Sequence, residues 1–344
     1  MNVGSMKRIY EKNLTGGDGI YPGLHALRVG SMFGILAMHV FINGQYSVGA
    51  GFWSKQFIPS LTDLVYVFFA ISAFGISCGY YDKLKSGQIR IEEFYKKRWI
   101  KIWPFFALLC VLDFVLSPSK EALYEMFADL TLSFGYLSHK HIQVMGVGWT
   151  LGVIFLFYIA FPYFVFLCAN RRRAIFSFGV ATLLNFVCVQ HFEVGRNNFA
   201  YSAVYFLLGE LFFLYKVEIE RILQRHRSLV WLLTAVALVM YYAWKVNLLT
   251  RLLVVSSMLC WGISAKRCPH LVQFLSGVSF EVYLCHMVMY RGIEKLQLLY
   301  LFGNNATSYI TVVVMVSALA VVFSTVWNRT LALLRKQLER NKTI

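Results

Sequence analysis

Apolar residues run along this chain in blocks of about twenty, and the short stretches between them hold most of the Lys, Arg, Asp and Glu. The blocks fall at 22–43, 61–81, 100–117, 146–169, 174–191, 199–215, 229–245, 249–265, 271–290 and 307–327. A helix rises 1.5 Å per residue, so about twenty residues cross the ~30 Å hydrocarbon core of a bilayer. Within lipid a backbone must satisfy its own hydrogen bonds, which a helix does inside one segment. The pattern predicts an all-α polytopic membrane protein with about ten transmembrane helices. It divides the chain into a short segment 1–20, a transmembrane domain 21–328 and a basic tail 329–344. Segment 1–20 lacks the apolar core of a signal peptide, so the first block is expected to act as its own insertion signal.

Ten spans put both termini on one side, and the loop charges say which. One side collects the N-terminal segment, "YDKLKSGQIRIEEFYKKR" with Lys101, the "RRR" at 171–173, "KVEIERILQRHR", "AKRC" and the tail. It holds 24 Lys and Arg against 8 on the other, with Arg28 left over. Cytoplasmic loops carry the basic excess, so both termini are expected in the cytoplasm, as in a bacterial inner membrane.

Composition agrees. Of 344 residues, 58% are hydrophobic and only 15% charged, against roughly 25% charged in ordinary soluble domains. The net charge of +16 would suggest nucleic acid on a soluble protein. Here the charges lie between apolar blocks, where they meet anionic lipid, so membrane lipids and not nucleic acid are the expected partners. The seven Cys include no Cys-x-x-Cys pair, and no His/Cys/Asp/Glu cluster has metal-ligand spacing, so no metal is expected.

The first block, "LHALRVGSMFGILAMHVF", carries Arg28 and His39. Eleven residues at 100° each make three turns plus about 20°, so both lie on one helix face, roughly 16 Å apart along the axis. Ionisable groups facing lipid are penalised, so both should face the protein interior. Arg28 as a snorkelling anchor and His39 as a helix-contact histidine is the plain alternative.

Further stretches accompany this pair: "LVYVFFAISAFGIS" with Phe68, Phe69, Ser72 and Phe74; "FYKKRWIKIWPFF" with Arg98, Lys101 and Pro104; "GVGWTLGVIFLFYIAFP" with Trp149, Phe157, Tyr158 and Pro162; and "GVSFEVYLCHM" with Ser279, Tyr283, Leu284 and His286. In this order, over residues ~20 to 290, they resemble the membrane acyltransferase 3 family, whose members transfer acyl groups, usually acetyl from acetyl-CoA, to sugars and related acceptors. The chain departs from that family in four places. Ser72-Ala73-Phe74 stands for Ser-Gly-Phe. Arg98-Trp99-Ile100-Lys101 stands for Arg-x-x-Arg. Ile154 and Phe155 stand where many members have glutamates. An acid often precedes the phenylalanine pair at the position of Tyr66, and Asp63 lies one turn earlier.

The resemblance implies acyl transfer from a thioester to a hydroxyl. That reaction needs a base, oxyanion donors and a site for the CoA phosphates. His39 is the expected general base, since imidazole titrates near neutrality. Arg28, Arg98 and Lys101 are expected to hold the phosphates of acetyl-CoA, the donor co-substrate, at the cytoplasmic side. Arg28 would hold the head of CoA while the thioester approaches His39. Trp149, Tyr283, His286 and Glu281 are candidates for the acceptor site. For His286 an interhelical hydrogen-bond network is the alternative to acceptor binding or a second acid–base role. Glu210 and Asp113 are further intramembrane acids, and either could balance Arg28. The expected acceptor is a carbohydrate: a surface polysaccharide, a lipid-linked glycan or a sugar precursor. Homo-oligomerisation stays open. The rival reading is a transporter or flippase of anionic or acylated substrates that uses Arg28 and His39 for binding or proton relay.

Overall fold

In the computed structural model, residues 21–132, 148–244 and 246–341 are described. Among them every regular element is helical, apart from one isolated bridge between Leu301 and Gly303. Helix α1, Pro22–Gly44, opens on proline, whose missing N–H would be an orphan there anyway, and stops at Gln45 in the left-handed conformation. A π turn, Trp53–Phe57, leads through Ile58–Ser60 and a 3₁₀ turn, Leu61–Asp63, into α2, Leu64–Lys85. Helices α3, Ile91–Leu116, α4, Lys120–Leu130, α5, Gly148–Leu167, and α6, Arg171–Gln190, follow. Then come α7, Phe199–Leu214, α8, Lys216–Arg225, α9, Arg227–Val239, with a second π turn, Met240–Trp244, and α10, Leu248–Ser264. The last are α11, His270–Gly277, α12, Ser279–Lys295, and α13, Ala306–Asn341.

Every expected apolar block is helical where it is described, with a bend at Val278 inside one. Five stretches are long and apolar enough to cross a membrane: Pro22–Gly44, Trp53–Lys85, Gly148–Leu167, Arg171–Gln190 and Ala306–Gln337. Counting the bent pairs Lys216–Arg225 with Ser228–Trp244, at 104°, and α11 with α12, at 67°, as single spans makes seven. The apolar helices α7 and α10 have only 16 and 17 residues. The charged first turns of α3 dilute its apolar half.

Two helices fall where the sequence pattern suggested loops. Helix α4 is capped by Ser119, whose side chain accepts from the Ala122 amide at 3.0 Å. It runs back along α3, where the Trp103 indole donates to the Leu130 carbonyl at 2.9 Å. Its Tyr124 and Phe127 are exposed while Asp129 is buried. Helix α8 buries Leu223 and is tied to α6 by an Arg171–Glu218 ion pair. Both are short and rich in charge, so a search for long apolar blocks passes over them. At the C-terminal end, α13 continues without a break past 327 to Asn341.

The centre of the molecule is aromatic. Tyr66 of α2 stacks on Tyr205 of α7 at 4.2 Å, Phe69 on Phe206 at 4.9 Å, and Phe157 of α5 on Phe206 at 4.0 Å. The two backbones come this close because position 209 has no side chain: a Cβ there would lie 2.2 Å from the Ala70 carbonyl oxygen. Gly23 of α1 meets the Gly262 carbonyl of α10 in the same way, at 2.4 Å.

Gly209→Ala should therefore lower the unfolding midpoint of the purified protein in detergent, through an overpacking cost of about 1–3 kcal/mol. Gly30→Ala, where nothing lies within 4 Å of the new methyl, should leave the midpoint unchanged or raise it. Equal midpoints for the two variants would refute the close α2–α7 approach.

Candidate active site

Because α1 is one unbroken helix, Arg28 and His39 keep the three-turn spacing read from the sequence. Both are half-buried. The His39 imidazole meets that of His286 on α12, with ring centroids 5.4 Å apart and planes tilted by 44°. His286 is buried, and its Nδ1 lies 2.6 Å from the Tyr283 carbonyl oxygen. A carbonyl only accepts, so Nδ1 carries the proton and Nε2 is left as the atom with no hydrogen-bond partner. The tautomer of His286 is thus fixed by the backbone of its own helix.

Tyr283 completes this side of the site. Its ring is 5.8 Å from His286 and 5.4 Å from Phe68 of α2. Its hydroxyl is hydrogen-bonded to Thr150, next to Trp149 at the start of α5. The Arg196 guanidinium, from the loop between α6 and α7, lies 5.3 Å from the centre of the Trp149 ring. It donates to the Thr62 hydroxyl at 2.6 Å. Arg196 is near enough to act through its charge on both His39 and Tyr283. Residues from five separate segments therefore converge on the two histidines. The sequence pattern did not single out Arg196, Thr62 or Thr150, since each belongs to the site only through tertiary packing.

The other expected site residues lie elsewhere. Glu281, five residues before His286 and thus about 140° around the helix, is buried and hydrogen-bonded to Asn328, with Lys101 near enough to act on it. It stands apart from the histidines. Arg98 stacks over Tyr80 at 4.9 Å and donates from Nη2 to the Tyr80 hydroxyl at 2.9 Å, while its buried Nε has no partner. Arg98 also lines a cavity of about 370 Å³ with Tyr95, Lys96, Trp99, Phe155 and Tyr158. Neither Arg28 nor Lys101 lines it, so the three expected phosphate ligands are not gathered in one cavity.

The remaining acids have their own partners. Asp113 pairs with Arg291, and Glu210 accepts from Ser77. Asp63 takes Arg251 Nε and the Tyr241 hydroxyl, both at 2.7 Å, on one oxygen. Arg251 also donates to the Tyr201 hydroxyl at 3.0 Å.

A family model described as an acyltransferase domain matches residues 21–327. The chain belongs to the acyltransferase 3 family. No curated protein and no solved structure matches it. As an acyltransferase 3 protein, it places several of the residues that carried the family resemblance near the histidine pair or in the aromatic centre. Tyr283 packs on His286 of the histidine pair, Phe68 packs on Tyr283, and Trp149 lies under Arg196. Phe69, Phe74 and Phe157 belong to the aromatic centre.

The Asp63–Arg251 pair is mostly buried, with 14% and 24% of the two side chains exposed. Removing one charge strands the other, whereas replacing both with neutral polar groups does not. Arg251→Gln should destabilise the protein by about 2–3 kcal/mol, and adding Asp63→Asn should recover at least half of this. Thermal unfolding in detergent reads both. A double variant no more stable than Arg251→Gln would show that the pair does not act as a unit.

Proposed function

We propose that this protein is an integral membrane O-acyltransferase that moves an acetyl group from acetyl-CoA to a hydroxyl of a carbohydrate. In this reading it lies in a bacterial inner membrane, crosses it about ten times and keeps both termini in the cytoplasm. The observation that carries the proposal is the meeting of His39 with a tautomer-fixed His286 in a chain of the acyltransferase 3 family.

The chemistry follows from that pair. His39 takes the proton of the acceptor hydroxyl as its oxygen attacks the thioester carbonyl carbon. The new C–O bond forms, the tetrahedral oxyanion collapses, and the C–S bond breaks. The imidazolium then returns the proton to the departing CoA sulfur. The Tyr283 and Thr150 hydroxyls and the Arg196 charge are the groups available to stabilise the oxyanion. His286, held by the Tyr283 carbonyl, offers Nε2 as an acceptor that fixes the acceptor hydroxyl or the His39 ring. Arg28 holds the donor from the cytoplasmic half of α1. The Arg98 cavity suits the CoA nucleotide: Arg98 and Lys96 face its phosphates, and Trp99, Tyr158 and Tyr95 offer surfaces for the adenine.

The test is release of free CoA from acetyl-CoA by purified protein in the presence of a carbohydrate acceptor. A transporter would leave the thioester intact. His39→Ala should lower the release at least a hundredfold without lowering the unfolding midpoint. His286→Ala should lower it at least tenfold, and His286→Gln should not restore it. Activity of His39→Ala within threefold of wild type would sink the base assignment.

A second set of variants tests the donor side. Arg98→Ala should raise the KM for acetyl-CoA more than it lowers kcat, because it contacts remote phosphates. Lys101→Ala, which does not line the cavity, should raise that KM less. An unchanged donor KM in Arg98→Ala would remove the cavity from the donor path.

A further inference from the structure

Among the described residues there are two π-helical turns, Trp53–Phe57 and Met240–Trp244. Such turns cost hydrogen-bond geometry and appear frequently at functional sites. They are about 190 residues apart in sequence, yet both line one pocket of about 400 Å³, a size within the ~300–1,000 Å³ of small-molecule sites. The first turn gives it Lys55 and Gln56, and the second Tyr241, Tyr242 and Trp244.

The pocket has the make-up that a sugar requires. Its lining includes the Asp63–Arg251–Tyr241 network, which holds a carboxylate and a guanidinium in fixed positions. Tyr242 is held by Ser60, with its hydroxyl 2.7 Å from Oγ, and by the edge of Phe52 at 5.2 Å. Trp244 is 70% exposed. A pyranose has C–H faces that pack on aromatic rings and a rim of hydroxyls that need donors and acceptors on rigid side chains.

Neither His39 nor His286 lines the pocket, and the link toward them runs through Thr62 and Arg196. Thr62 lines it and accepts from Arg196, and Arg196 acts through charge on His39 and stands over Trp149. The Arg98 cavity shares no residue with it.

We propose that this pocket is the acceptor subsite, binding a saccharide between the two π turns with Trp244 as its platform and presenting a hydroxyl past Thr62 and Arg196 to His39. The proposal rests on the acyltransferase reading above and names the part of the site that reading leaves open.

The test uses the full-length protein in detergent, following CoA release from acetyl-CoA with methyl glycosides of glucose, galactose, N-acetylglucosamine and N-acetylneuraminic acid. At least one sugar should stimulate release. Trp244→Ala should raise the KM for that sugar at least tenfold while the acetyl-CoA KM stays within twofold, and Trp244→Phe, which keeps a platform, should cost less than threefold. Gln56→Ala provides a second, exposed probe and should raise the same sugar KM. Stimulation of wild type with an unchanged sugar KM in both Trp244→Ala and Gln56→Ala overturns the subsite and leaves the acyltransferase reading intact. So does a Trp244→Ala variant that loses only thermal stability, the behaviour of a tryptophan anchored in a membrane interface. No sugar-stimulated release by wild type would overturn the carbohydrate reading and the subsite together.

Discussion

The structure depends on one constraint: a polar side chain placed among apolar spans must find its partner inside the protein. Helix α1 obeys it along its length. His25, near its start, meets Ser276 of α11 with Nδ1 2.9 Å from Oγ. His39, three to four turns later, meets His286 of α12. Along α1, then, one histidine faces α11 and the other faces α12. Asp113 with Arg291, Asp63 with Arg251 and Glu210 with Ser77 repeat the pattern between other helices. Where buried groups are matched this consistently, the exceptions carry meaning. Among the described residues eight buried side-chain atoms lack a hydrogen-bond partner, and two of them, Nε2 of His286 and Nε of Arg98, belong to residues of the candidate site. A ligand that donates to His286 Nε2 or accepts from Arg98 Nε would satisfy that atom.

Position in the sequence foretold what a single helix decides, and little beyond it. The apolar blocks became helices because block length and the need for internal backbone hydrogen bonds leave no other solution in lipid. The shared face of Arg28 and His39 followed from 100° per residue, and so did the nearness of Tyr283 to His286. The same arithmetic separates Glu281 from that face, and applying it there would have kept Glu281 out of the acceptor group. The pairing of acids with arginines was not legible, because Asp113 and Arg291 are 178 residues apart and nothing local links them. Arg196 was invisible for the same reason. It sits in a short loop with ordinary neighbours and gains its place only when α5, α7 and the start of α2 come together.

The aromatic centre explains how loops and helix ends can hold a precise site. Tyr66, Phe69, Phe157, Tyr205 and Phe206 are almost fully buried, and stacked rings have few rotamers to lose and little room to move. They lock α2, α5 and α7 together. From those three helices and their flanking turns come Phe68, Thr62, Trp149, Thr150 and Arg196. These side chains are thus set on a packed block, while the histidines come from α1 and α12. The close approach at Gly209 belongs to the same device, since a wider α2–α7 gap would part the rings.

The chain's departures from its family's pattern also acquire a physical sense. Phe155 lies at 5.5 Å from Trp99, edge to face, and lines the cavity that holds Arg98 and Lys96. A glutamate at 155 would share that cavity with both cations and cancel most of their charge toward a ligand. Phenylalanine leaves the charge in place and adds an apolar wall. At the other replaced position, Lys101 stands where a second arginine is frequent, and it acts on Glu281 rather than lining the cavity. A single guanidinium, Arg98, is then the planar donor at this mouth, anchored by one nitrogen to Tyr80 and left with Nε open. A cavity lined by one guanidinium held at Tyr80 and by the Lys96 ammonium selects an anion by charge more than by geometry. That fits the donor role proposed for this cavity.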